Sequence, residues 1–143
     1  MSDRFGPQPV ARWYTLAALA AVLFMALGCA AFLLGIFTDP ATLALDERAA
    51  REAQPLWLVA VNGIAVATGL AGSLLLVLRR RLAEPLLLVS LVAVVILLAG
   101  LLVVPRLRDL VGTDDIAVAV AVSVITWTIY WFARHSRQRG WLR

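Results

Sequence analysis

The side chains in this chain that are able to do chemistry are few, and their types narrow what that chemistry is. The densest group falls in one apolar stretch: Asn62, Gly63, Thr68, Gly69, Gly72 and Ser73. Asn62 and Thr68, with Ser90, Thr126 and Trp127 in later stretches, supply neutral donors, acceptors and one aromatic face. Such groups suit the binding of a small neutral solute and do not form a nucleophile with a nearby base. The other use of the same stretch is packing. Ala65, Gly69 and Ser73 recur at i, i+4 and i+8, as do Gly63, Ala67 and Ala71, and Gly72 adds to the seam. Small residues at that spacing let helix backbones approach closely where lipid supplies no hydrophobic drive. Packing is the commoner role for residues of this kind.

What the apolar stretches lack is equally informative. No Asp, Glu, Lys, Arg or His lies inside their cores, whereas buried ionisable groups usually mark ion pathways and proton relays. The sequence has no His/Cys/Asp/Glu cluster at metal-ligand spacing and no phosphate-cradling glycine loop. No catalytic, cofactor-binding or metal-binding residue is expected, and an enzyme is not expected either. Trp127 and Trp131 stand one helical turn apart beside Tyr130. Their rings have the shape to stack on a sugar, but their place near the end of a stretch fits an interfacial aromatic belt better. Ala26-Leu27-Gly28-Cys29 has the form of a lipoprotein processing site, which would leave a lipid-modified Cys29. The chain stays apolar from Ala30 to Phe37, so an uncleaved helix is the preferred reading.

The elements that position these residues follow from hydropathy. The chain has 143 residues, 62% of them hydrophobic, against roughly 45–50% in ordinary globular domains. Four charge-free runs are long enough to span a bilayer, at 13–37, 55–78, 85–104 and 116–132. The fourth begins with alternating Ala and Val, yet only a helix satisfies its own backbone in lipid. The expected fold is all-α: a membrane four-helix up-down bundle over 13–132, with a tail at 1–12 and a basic tail at 133–143. Between the first two spans, Asp39-Pro40 resembles a helix start. A short extracytoplasmic helix is expected from Ala41 to Gln54, with Leu43 and Leu45 towards the apolar side and a Glu47–Arg51 pair at i, i+4.

All thirteen basic residues are arginine, and their placement gives an orientation. Nine, among them Arg79, Arg80, Arg81, Arg134, Arg137 and Arg139, fall on one side of the expected spans; four fall on the other, among more numerous acids. The positive-inside rule puts the nine, and both termini, in the cytoplasm. The arginines are read as topogenic and as partners of lipid headgroups, not of nucleic acid.

These features together resemble a group of small bacterial four-span inner-membrane proteins that often carry the label "sugar transporter". The matching parts are Thr38-Asp39-Pro40 to Gln54, Pro55-Leu56-Trp57, Ile64-Ala65-Val66 with Gly69 and Gly72, Arg79–Arg81, Pro85 to Leu91, and Trp131 to Leu142. The first span lacks the Trp-Asn pair associated with that group. The resemblance implies a bacterial inner-membrane location and transfers no binding residue. Two functions stand open: an accessory membrane protein acting by helix packing with itself or a larger partner, and an oligomeric transporter of a small neutral solute such as a sugar. Processing at Cys29 is the third alternative.

Overall fold

In the computed structural model, which describes residues 12–110 and 112–142, the chain is a bundle of four long apolar helices. They are α1 (Arg12–Phe37), α3 (Leu56–Val77), α4 (Ala83–Val103) and α6 (Thr113–Gln138), joined by the short α2 (Leu45–Ala53) and α5 (Pro105–Leu110). Each long helix has the length and hydropathy to cross a membrane. The exposed faces carry large apolar side chains from one end of each helix to the other, as a lipid-facing surface does. The protein is therefore a multi-pass membrane helix bundle, as its hydropathy predicts.

Small residues decide which helices touch. Ala65, Gly69, Gly72 and Ser73 are all buried on α3. A Cβ at Gly69 would lie 2.7 Å from Met25 Sδ of α1 and 2.8 Å from Ser90 Oγ of α4, so three helices converge there. A Cβ at Gly72 would lie 2.9 Å from Leu87 Cγ and 3.2 Å from the Leu87 backbone nitrogen. A Cβ at Gly63 would lie 3.3 Å from Phe32 Cζ of α1, and Gly100 of α4 gives room to Leu58 of α3. The seam foreseen on the second span thus closes the α1–α3 and α3–α4 contacts of a single chain. Gly69 and Gly72 are buried within the chain, whereas Ala67 and Ala71 of the second small-residue row are exposed.

The long helices pack in the order α1, α3, α4, α6. The backbones of α1 and α6 do not pack closely against each other; side chains such as Tyr14 and Phe132 bridge that seam at one end. We call this the basic end, because it carries the α3–α4 turn with Arg79, Arg80 and Arg81 and the last turn of α6. The opposite end carries α2 and α5, which pack on each other.

Several local features depart from expectation. The tail at 133–143 is largely structured: α6 runs on to Gln138, Gly140 adopts a φ of +72°, and Trp141 and Leu142 are buried at 6% and 2% exposure. Arg143 and the N-terminal residues 1–11, including Arg4, lie outside the described residues. The segment after α1 is not one helix. Asp39 Oδ1 accepts a 3.0 Å bond from the Ala41 N–H and caps a single 3-10 turn at Pro40–Thr42, and α2 begins only at Leu45. Glu47 and Arg51 do not pair with each other. Arg48 and Glu52 form the i, i+4 pair at 3.0 Å, while Arg51 Nη1 donates to the Thr38 carbonyl at 3.1 Å, tying α2 to the end of α1. Of the two leucines expected on the apolar side, Leu43 is half-buried against the bundle and Leu45 is 86% exposed. The third connection contains α5, a short helix that its sequence does not announce.

Candidate functional site: a cavity between the spans

The basic end of the bundle is sealed. Tyr14 and Trp141 meet edge to face at a centroid distance of 5.8 Å, and Trp13 and Tyr14 lie 5.5 and 5.4 Å from Phe132. Leu76, Ala83, Leu87, Ala133 and Leu142 fill the space among these rings. Tyr14 Oη donates to the Leu76 carbonyl at 2.5 Å, and Arg79 Nε to the Trp141 carbonyl at 3.1 Å. Glu84 and Arg137 add an ion pair at 2.8 Å between the first turn of α4 and the last turn of α6. The arginines read as topogenic thus take part in this closure: Arg79 and Arg137 directly, with Arg80, Arg81, Arg134 and Arg139 around it.

Further along, the four spans separate around a cavity of about 460 Å³. Every span contributes to its wall: Phe24 and Met25 from α1, Leu58 and Ala65 from α3, Val94 and Leu98 from α4, Val122 and Thr126 from α6. The volume falls within the roughly 300–1,000 Å³ of small-molecule pockets. Four helices of one chain thus line a space of this size between them. A second, apolar groove of about 300 Å³ follows the α1–α6 seam. Phe24 lines both spaces and stands between them.

Polar groups on the cavity wall divide into two kinds. Ser90 Oγ donates across the helix interface to the Ala65 carbonyl at 2.8 Å. Ser123 and Thr126 donate to the carbonyls of Ala119 and Val122 in their own helix, each at 2.8 Å. These hydroxyl protons are committed, as is usual for Ser and Thr in apolar helices. Asn62 and Gln54 differ: neither side-chain amide has a hydrogen-bond partner among the described residues. Both also line a third space of about 470 Å³ beneath α2, together with Thr38, Leu43, Glu47 and Arg51. The apolar cavity and this polar vestibule meet at the two free amides.

Of the five residues read as candidates for solute binding, Asn62, Ser90 and Thr126 are brought together on the cavity wall. Thr68 is not; its hydroxyl donates to the Ile64 carbonyl at 2.6 Å on another face of α3. Trp127 is also outside the cavity, 57% exposed on the surface of α6, where an interfacial belt residue belongs. Cys29 is half-buried in the unbroken α1 helix. Gln54, Phe24 and Leu58 line the cavity but were not legible as site residues. Gln54 sits at a helix end, and the other two look like any apolar packing residue.

No cluster of three or more His, Cys, Asp or Glu side chains suited to a metal occurs among the described residues. No family model, curated protein or solved structure matches this chain.

Proposed function

We propose that this protein is an accessory membrane protein that takes an apolar or amphiphilic small molecule into the cavity between its four spans. The observation that supports this reading is the cavity wall, which is built from all four spans, is almost wholly apolar and, among the described residues, retains two uncommitted polar groups. Apolar walls of this kind favour apolar guests, because they offer few partners for a guest's polar groups. A sugar would surrender the hydration of several hydroxyls and find only Asn62 and Gln54 in return, at a cost of about 1–3 kcal/mol for each unpaired group. The wall therefore suits a lipophile better than a sugar. The sealed basic end favours binding, or entry and exit on one side, over a continuous pore.

The arginine distribution and the resemblance support a bacterial inner-membrane location, with termini in the cytoplasm and the vestibule under α2 on the far side. A C-terminal reporter active only outside the cytoplasm would refute that orientation.

Native mass spectrometry of the full chain, released from mild detergent, tests the binding role. Retained mass corresponding to one lipophilic molecule per chain is expected. Ala119→Phe, which fills the cavity from α6, is expected to abolish it while the thermal transition is kept. Equal retention by both proteins would refute the cavity as the binding place.

A further inference from the structure

The vestibule beneath α2 gives the guest a polar end. Arg51 and Glu47 both line it, one helical turn apart, yet they form no ion pair with each other. Arg51 uses one donor on the Thr38 carbonyl and retains the rest of its five-donor fork. A guanidinium of this kind matches the oxygens of a phosphate, and a carboxylate accepts from an ammonium. Between these charges and the apolar cavity stand the free amides of Asn62 and Gln54, which line both spaces. They are placed where an amphiphile changes from polar to apolar, at its ester or glycerol region.

The route in is also visible. The α1–α6 seam lacks the close backbone packing of the other neighbouring long helices and carries its own apolar groove, which offers a chain a path from surrounding lipid between these helices. Phe24 is the side chain that separates this groove from the cavity.

Resting on the binding role proposed above, we infer that the occupant is a phospholipid with a zwitterionic head. Its phosphate is held by Arg51, its ammonium by Glu47, its linkage region by Asn62 and Gln54, and an acyl chain by the cavity. One cation and one anion in the same vestibule favour a head that carries both charges over a net anionic head or an uncharged one.

The experiment uses the full chain, delipidated in detergent and then offered phosphatidylethanolamine, phosphatidylglycerol or diacylglycerol, with bound lipid counted by native mass spectrometry. One phosphatidylethanolamine per chain is expected, retained about tenfold more tightly than either other lipid, a difference of about 1.4 kcal/mol. Arg51→Gln and Glu47→Gln are each expected to erase that preference while diacylglycerol retention is unchanged. Arg48→Gln, whose residue pairs with Glu52 outside the vestibule, is expected to leave the preference intact. Equal retention of all three lipids, or indifference to both vestibule substitutions, overturns the head assignment while leaving the cavity reading in place. No retention of any lipid, in wild type and Ala119→Phe alike, overturns both.

Discussion

Arg79 Nε donates to the carbonyl of Trp141 at 3.1 Å, joining two helix ends that share one geometry. At the end of α3, the Arg80 N–H reaches the Leu75 carbonyl at 2.8 Å, with Arg79 left-handed at a φ of +59°. At the end of α6, the Trp141 N–H reaches the Ser136 carbonyl at 3.0 Å, with Gly140 left-handed at +72°. Both are Schellman caps. The second turns the chain back so that Trp141 and Leu142 enter the bundle. The first places a cation where the negative ends of two helix dipoles meet.

Gly140→Ala follows directly from this geometry. No atom lies within 4 Å of the position a Cβ would take, so the cost comes from the left-handed backbone alone. A destabilisation of about 1–2 kcal/mol is expected, measured by chemical or thermal unfolding in detergent. Increased quenching of Trp141 fluorescence should accompany it. An unchanged midpoint would mean that the cap contributes nothing to closure.

The glycine seam gives a graded prediction. At Gly72 the obstructing atoms include the Leu87 backbone nitrogen, which yields less readily than a side chain, whereas at Gly69 they are atoms of the Met25 and Ser90 side chains. Gly72→Ala is therefore expected to destabilise by about 1–3 kcal/mol through overpacking, and more than Gly69→Ala. Gly72→Leu should prevent folding. Asn62→Ala should change stability by less than about 0.5 kcal/mol, since no hydrogen bond is lost. Unfolding titrations in a common detergent rank the four variants, and a rank order with Asn62→Ala as the most damaging would contradict the packing described.

The sequence revealed the spans and the seam for the same physical reason. Bilayer thickness and close backbone approach both act through residue type at fixed spacing, so 13–37, Gly69 and Gly72 could be read directly. The cavity was legible only in part. Asn62, Ser90 and Thr126 stood out as polar residues in apolar runs, but their convergence depends on how far α1 and α6 stand apart, which no local pattern encodes. Trp141 stands among arginines in the segment whose composition marks it as a basic tail. Its burial depends on the left-handed turn at Gly140, two residues after α6 ends. Arg48–Glu52 displaced the expected Glu47–Arg51 pair because the end of α1 offers Arg51 the Thr38 carbonyl.

Glu84 and Arg137 tie α4 to α6 with partly exposed side chains. Glu84→Gln is expected to cost about 0.2–1 kcal/mol at low ionic strength. The loss should shrink as salt is raised towards 1 M, where the screening length falls to about 3 Å. Unfolding midpoints of wild type and variant that converge with salt support the pair, and a constant gap contradicts it.

Phe24→Ala removes the side chain between the seam groove and the cavity. Bound lipophile is expected to exchange faster, with a smaller change in how much is bound at equilibrium. Stopped-flow displacement of a fluorescent lipid from the reconstituted protein reads this as a larger dissociation rate. An unaltered rate would show that entry does not pass Phe24.

The central claim, a guest held between the spans, is tested most directly by photolabelling in a bilayer with a phosphatidylethanolamine whose acyl chain carries a diazirine. Peptide mapping should find label on inward residues such as Val66, Val94, Leu98 and Val122, and Ala119→Phe should remove it. Label confined to outward residues such as Leu19, Leu74 and Val92, unchanged in Ala119→Phe, would contradict the account.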